Sequence, residues 1–103
     1  MAREPRTNVF DSNLLALIAR REPKLRALGI DRLALTGSRV NGTARPDSDV
    51  DVIVHFRDGE SSYFVMAEAK TILEEDLGLE VDVQLEDQFT PDAPILAEAL
   101  RVF

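Results

Sequence analysis

From residue 49 the chain reads Asp-Val-Asp-Val-Ile-Val-His-Phe. In an extended backbone successive side chains point to opposite sides, so Val50, Val52, Val54 and Phe56 share one face and Asp49, Asp51, Ile53 and His55 the other. Such a segment is a strand with one buried side, and a buried side needs neighbouring strands and a layer packed on it. A second alternation, Glu80-Val81-Asp82-Val83-Gln84-Leu85, repeats the device. A short apolar run, Leu33-Ala34-Leu35-Thr36, ends at Gly37 and reads as a third, buried strand.

Between these runs the apolar spacing is helical. Leu14, Leu15, Leu17 and Ile18 follow Asp11 or Ser12 as N-cap, and Arg20-Arg21 suits the last turn. Pro23 opens a second short helix that Gly29 ends. Asp58-Gly59 marks a turn, after which Ser61 or Ser62 caps a helix with Val65, Met66, Ala69, Ile72, Leu73 and Leu77 inward and Gly78 at its end. Pro94 begins a terminal helix holding Ile95, Leu96, Ala99 and Leu100. The expected fold class is α/β (α+β): a small mixed sheet of about three strands with helices on one face, the carboxylates pointing to the open face. Residues 1–10 are expected to be a flexible N-terminus and residues 11–103 a single domain.

Composition narrows the chemistry. With 19 acidic and 12 basic residues the net charge is −7, which argues against direct nucleic-acid binding. There is no cysteine and only one histidine, so thiolate sites are excluded and any metal site must be built largely from carboxylates. No apolar run has membrane-spanning length and no signal peptide is visible; a cytoplasmic protein is expected.

Three features then converge: Gly37-Ser38 at a strand end, Asp49-x-Asp51 on the next strand and Asp82 on a later one. An Asp/Val alternation alone also describes a solvated strand face, and Gly-Ser alone an ordinary tight turn. Like charges on adjacent strands repel, however, and a divalent cation resolves that conflict. Oxygen ligands without His or Cys suit Mg²⁺, which completes its shell with phosphate oxygens and water. Gly37 leaves room for a phosphate against the backbone, and Ser38 adds a hydroxyl beside backbone N–H groups. Asp82 is placed to take a proton from an attacking hydroxyl, and together these parts describe nucleotidyl transfer. Arg39 and Arg45 lie in the intervening loop, where either can pair with triphosphate oxygens or form a surface ion pair with Asp47 or another acid. His55 falls four residues, about 13 Å, beyond Asp51 along the strand and reads as a packed or solvated histidine rather than a ligand. Glu74-Glu75-Asp76 reads as a solvated helix face, or as an acidic surface for a basic partner.

Gly37-Ser38, ten residues from Arg39 to Ser48, and Asp49-Val50-Asp51 together resemble the G-S-x10-D-x-D signature of minimal nucleotidyltransferases in the DNA polymerase β-like superfamily. The resemblance extends to Leu28-Gly29-Ile30, Ala44-Arg45-Pro46-Asp47-Ser48, Leu77-Gly78, Val81-Asp82-Val83 and Ala97-Glu98-Ala99-Leu100, and covers most of residues 12–103. It departs from the family pattern at Thr36, where an aromatic is common, and at Val40-Asn41, where an Ala-Arg pair is common. Within the superfamily the likeness is to short members that act as antitoxins beside a HEPN-type RNase toxin. It implies that Gly37 and Ser38 engage nucleotide phosphates, that Asp49 and Asp51 hold two Mg²⁺ ions, and that Asp82 is the third carboxylate. It also implies transfer of AMP from ATP to a tyrosine of the toxin, in a hetero-oligomer away from any membrane. A domain this small leaves the acceptor to bring its own binding surface, which favours a macromolecular acceptor. Two alternatives stay open: an antitoxin that acts by binding alone, and transfer to a small molecule.

Overall fold

The valines of the alternating strand are held in place by helices that bury the same side of the sheet. The computed structural model describes residues 9–41, 45, 48–57 and 63–103. Their order is α1 (Val9–Arg20), α2 (Glu22–Ala27), β1 (Ile30–Thr36), α3 (Ser38–Asn41), β2 (Val50–Phe56), α4 (Tyr63–Leu77), β3 (Val81–Leu85), a 3₁₀ turn (Glu86–Gln88), α5 (Pro94–Glu98) and β4 (Leu100–Arg101). Residues 1–8, Gly42, Ala44, Pro46, Asp47, the Asp58-Gly59 turn and the Ser61 or Ser62 cap lie outside the described residues.

The sheet runs in the order β3-β2-β1-β4. β1 is antiparallel to both β2 and β4, and β2 is parallel to β3. That parallel pair needs a crossover, and α4 lies between the two strands in the chain. Leu33 pairs with Val54 and Leu35 with Val52, so the apolar sides of β1 and β2 coincide. Onto them pack Leu14 and Ile18 of α1, Leu25 of α2, and Ala69 and Leu73 of α4, in one cluster with Val50, Val81 and Phe103. Burying each such Leu or Ile side chain contributes ~1.5–3 kcal/mol. Leu73 has no exposed surface and lies mid-way along α4; Leu73→Ala should therefore lower the unfolding free energy by about 2–5 kcal/mol, measured by urea denaturation.

The expected α/β architecture with a mixed sheet is present, with additions at its edges. α1 begins at Val9, ahead of the expected cap. β1 starts at Ile30, three residues earlier than the apolar run, because Asp31 and Arg32 lie on a strand interrupted by a register shift. The terminal helix stops at Glu98, and Leu100 and Arg101 form a fourth strand against Leu35 and Ala34. Leu100, expected to point inward from a helix, is 43% exposed on that strand. Leu33 and residues 102–103 then exchange backbone hydrogen bonds of 2.8–3.3 Å, and the Arg26 guanidinium lies 4.9 Å above the Phe103 ring. Ile53, on the acidic side of β2, is 3% exposed. A cleft beside it is lined by Ala34, Leu96 and Ala99, so the C-terminal segment covers part of the face expected to be open.

Candidate active site

At the C-terminal end of β1 the backbone turns at Gly37, with φ +81°. Only glycine adopts that conformation without strain. A Cβ built there would stand 2.5 Å from Asp51 Oδ2. The glycine therefore seats a carboxylate of the neighbouring strand, a role that spacing alone does not reveal. Thr36, the residue before it, is the register partner of Asp51 and is 4% exposed. Ser38 opens the four-residue α3, and Val40 N–H bonds back to Gly37 O at 3.0 Å.

Asp51 in turn lies directly opposite Asp82, because β2 and β3 pair Val50 with Val81 and Asp51 with Asp82. Paired residues of adjacent strands share a face, ~4.8 Å apart. Asp49 is exposed just ahead of β2, and Asp82 is exposed on β3. Burial, then the charges of Asp82 and Asp49, push the Asp51 carboxyl above its ordinary range. Asp82 and Asp49 thus lie near enough to Asp51 to act on its charge, yet among the described residues no three acidic or histidine side chains are gathered tightly enough to hold a metal ion by themselves.

Because Asp51 binds its proton more tightly when folded, stability is fully present below its ordinary pKa of 3.8 and falls as pH rises through the raised value. Asp51→Asn should therefore raise the melting temperature by a few degrees at pH 7 without divalent cations, and the gain should vanish near pH 3. Thermal unfolding across pH checks this.

The arginines divide. Arg45 is exposed, while Arg39 is 4% exposed and so lies below the surface. Arg39 Nη2 donates to the carbonyl of Ser48, the residue before Asp49. Ser48 also closes a turn with Arg45: its Oγ accepts from Arg45 N–H at 2.8 Å and its own N–H donates to Arg45 O at 3.0 Å. Ser48 was not singled out by the sequence, although a serine before an acidic pair is a turn signal.

The acidic run on α4 is not simply a solvated face. Glu74 Oε2 accepts from Lys70 Nζ at 2.7 Å and from Val81 N–H at 2.9 Å, while Lys70 Nζ also donates to Val81 O at 2.7 Å. Lys70 first, and the Val81 N–H second, hold the Glu74 carboxyl below its ordinary range. This clamp grips the residue before Asp82 and so places the third acid. Asp76 pairs in two-pronged fashion with Arg21, and of the three acids only Glu75 is exposed. His55 Nδ1 pairs with Asp31 Oδ1 at 2.7 Å, apart from the acids, as a packed histidine. Gln84 Nε2 donates to Asp82 Oδ2 at 2.9 Å, orienting that carboxylate.

Comparison with known proteins agrees with this geometry. The nucleotidyltransferase domain family matches residues 18–102. Among solved structures, one described as a candidate minimal nucleotidyltransferase is 36% identical, with a TM-score of 0.67, 84% of this chain and 93% of that one covered. A chain from a toxin–antitoxin complex with AMP-PNP is 18% identical, TM-score 0.64, covering 90% and 72%. Another comes from a tri-AMPylated Shewanella oneidensis HEPN toxin in complex with an MNT antitoxin, 17% identical, TM-score 0.60, covering 86% and 71%. The latter two share the fold. No curated protein matches the chain in sequence. No helix among the described residues is long and apolar enough to cross a membrane. With the Gly-Ser turn, the paired aspartates and the third strand acid all lying inside the matched span, the chain belongs to the nucleotidyltransferase domain family.

Proposed function

We propose that the protein is an Mg²⁺-dependent nucleotidyltransferase that moves AMP from ATP to a tyrosine of a partner HEPN-type RNase toxin and so neutralises it as an antitoxin in the cytoplasm. The observation that carries this reading is Asp51, held against Gly37 on one side and in register with Asp82 on the other, with Asp49 close enough to raise its pKa. The donor set suits the metal: carboxylate oxygens that repel one another, at a site where Mg²⁺ takes one or two protein ligands and fills the rest from phosphate and water. Asp49, Asp51 and Asp82 would hold two such ions, which supply charge neutralisation and polarisation of the α-phosphate.

The chain's own residues do the rest. Gly37 and Ser38 bind phosphate oxygens at the turn, and exposed Arg45 is available to them. Arg39, bonded to Ser48 O, fixes the approach to Asp49 from inside. Asp82, at the outer strand, receives the proton of the tyrosine hydroxyl. The tyrosine oxygen bonds to the α-phosphorus as the bond to the bridging α–β oxygen breaks, and pyrophosphate leaves. The toxin–antitoxin complexes that share the fold support the choice of acceptor.

Incubating the protein with ATP, Mg²⁺ and a purified HEPN-type partner tests this by intact-mass spectrometry. An added adenylyl group on a partner tyrosine is expected. Tight co-purification with an unchanged partner mass would replace transfer by neutralisation through binding.

A further inference from the structure

Resting on the nucleotidyl-transfer reading and deepening it, we infer that the cleft between α3 and α5 receives the nucleoside of the triphosphate, and that Glu98 selects a base bearing an exocyclic amino group. The cleft has a volume of about 540 Å³ and is lined by Thr36, Gly37, Val40, Ile95 and Glu98. It begins at Gly37, which touches Asp51, and at Thr36, which is paired with Asp51 in the sheet. A nucleotide with its α-phosphate beside Asp51 therefore has this space next to it.

The chemistry of the walls decides which end of the nucleotide enters. Among the described residues the lining holds no lysine or arginine, and its charged group is the Glu98 carboxylate. Glu98 would repel a polyphosphate. Val40 and Ile95 instead offer aliphatic surface on two different elements, suited to the faces of a flat ring. Ionised Glu98 can only accept hydrogen bonds, so at the ring edge it favours a donor. The 6-amino group of adenine is such a donor. The 6-oxo group of hypoxanthine opposes the carboxylate with a second acceptor.

Isothermal titration of ATP and ITP into the protein, both with Mg²⁺, tests the inference. The native protein should bind ATP about tenfold more tightly than ITP, the usual worth of one hydrogen bond to a charged group. Glu98→Gln, a substitution at an exposed position, should bring the two within about twofold, since the amide can turn its N–H₂ toward the 6-oxo group. Ile95→Ala should weaken both nucleotides by a similar factor. Equal binding of ATP and ITP by the native protein, or a preference unchanged in Glu98→Gln, would overturn the inference and leave the triphosphate site standing. Failure of the native protein to bind either nucleotide would remove the nucleotidyl-transfer reading, and this inference with it.

Discussion

Asp51→Ala is expected to lower nucleotidyl transfer by about a thousandfold or more while the protein stays folded. The loss follows from removing the central acid of the cluster, since a preorganised charged group at a reacting centre is worth ~10²–10³ in rate, and here its loss also undoes the site's cation binding. Folding should survive because the Asp51 carboxylate is unfavourable where it stands. It is half-buried, it repels Asp82 and Asp49, and its partners in the core are the valines on either side rather than itself. A single-turnover assay of AMP transfer, run beside a thermal melt, separates the two effects. Asp49→Ala should show the same pattern, and transfer that persists in both variants would place the chemistry elsewhere.

Gly37→Ala should damage both properties together. A non-glycine residue at φ +81° costs roughly 1–3 kcal/mol in backbone strain, before its Cβ meets Asp51 Oδ2 at 2.5 Å. Relief of that contact requires the aspartate or the turn to move, and a shift of that size at a reacting group lowers the rate by about a hundredfold. Gly78 supplies the control. It has φ +68° with nothing within 4 Å of a built Cβ, so Gly78→Ala carries the strain without the collision. Its melting temperature should fall while transfer per folded molecule stays near native. Equal activity losses in the two variants would mean that the contact between Gly37 and Asp51 has no part in the site.

What the sequence made legible was whatever depends on period and spacing. The β2 alternation placed Val50, Val52, Val54 and Phe56 inside, and the strand pairing then set Asp51 opposite Asp82. Gly78 closes α4 at positive φ, as the pattern requires. The misses share a physical cause: each depends on a specific contact that period and spacing do not encode. Leu100-Arg101 carries no strand signal of its own and becomes a strand because the edge of β1 offers unpaired backbone groups. Glu74 and Asp76 look like a solvated acidic run until α4 meets Val81 and Arg21. Arg39 looks like a surface cation because the Ser48 carbonyl that receives it is not marked by any residue type. Ile53 shares a strand face with three polar residues, yet C-terminal residues near it close off its surface. For the candidate site, the sequence marks Gly37-Ser38 and the three acids as candidates, while the contacts around them, through Ser48, Arg39 and the Lys70–Glu74 clamp, carry no mark in it.

The most direct test of the central claim is a thermal-shift titration with ATP, with and without Mg²⁺, on the native protein and on Asp51→Ala. A ligand that binds only the folded state at ~100 Kd adds roughly 2.7 kcal/mol of apparent stability. A melting temperature that rises with ATP only when Mg²⁺ is present, and does not rise in Asp51→Ala, is the predicted result. An equal rise in the variant, or no rise with the native protein, would contradict a nucleotide site built on Gly37, Ser38 and the acids of β2 and β3.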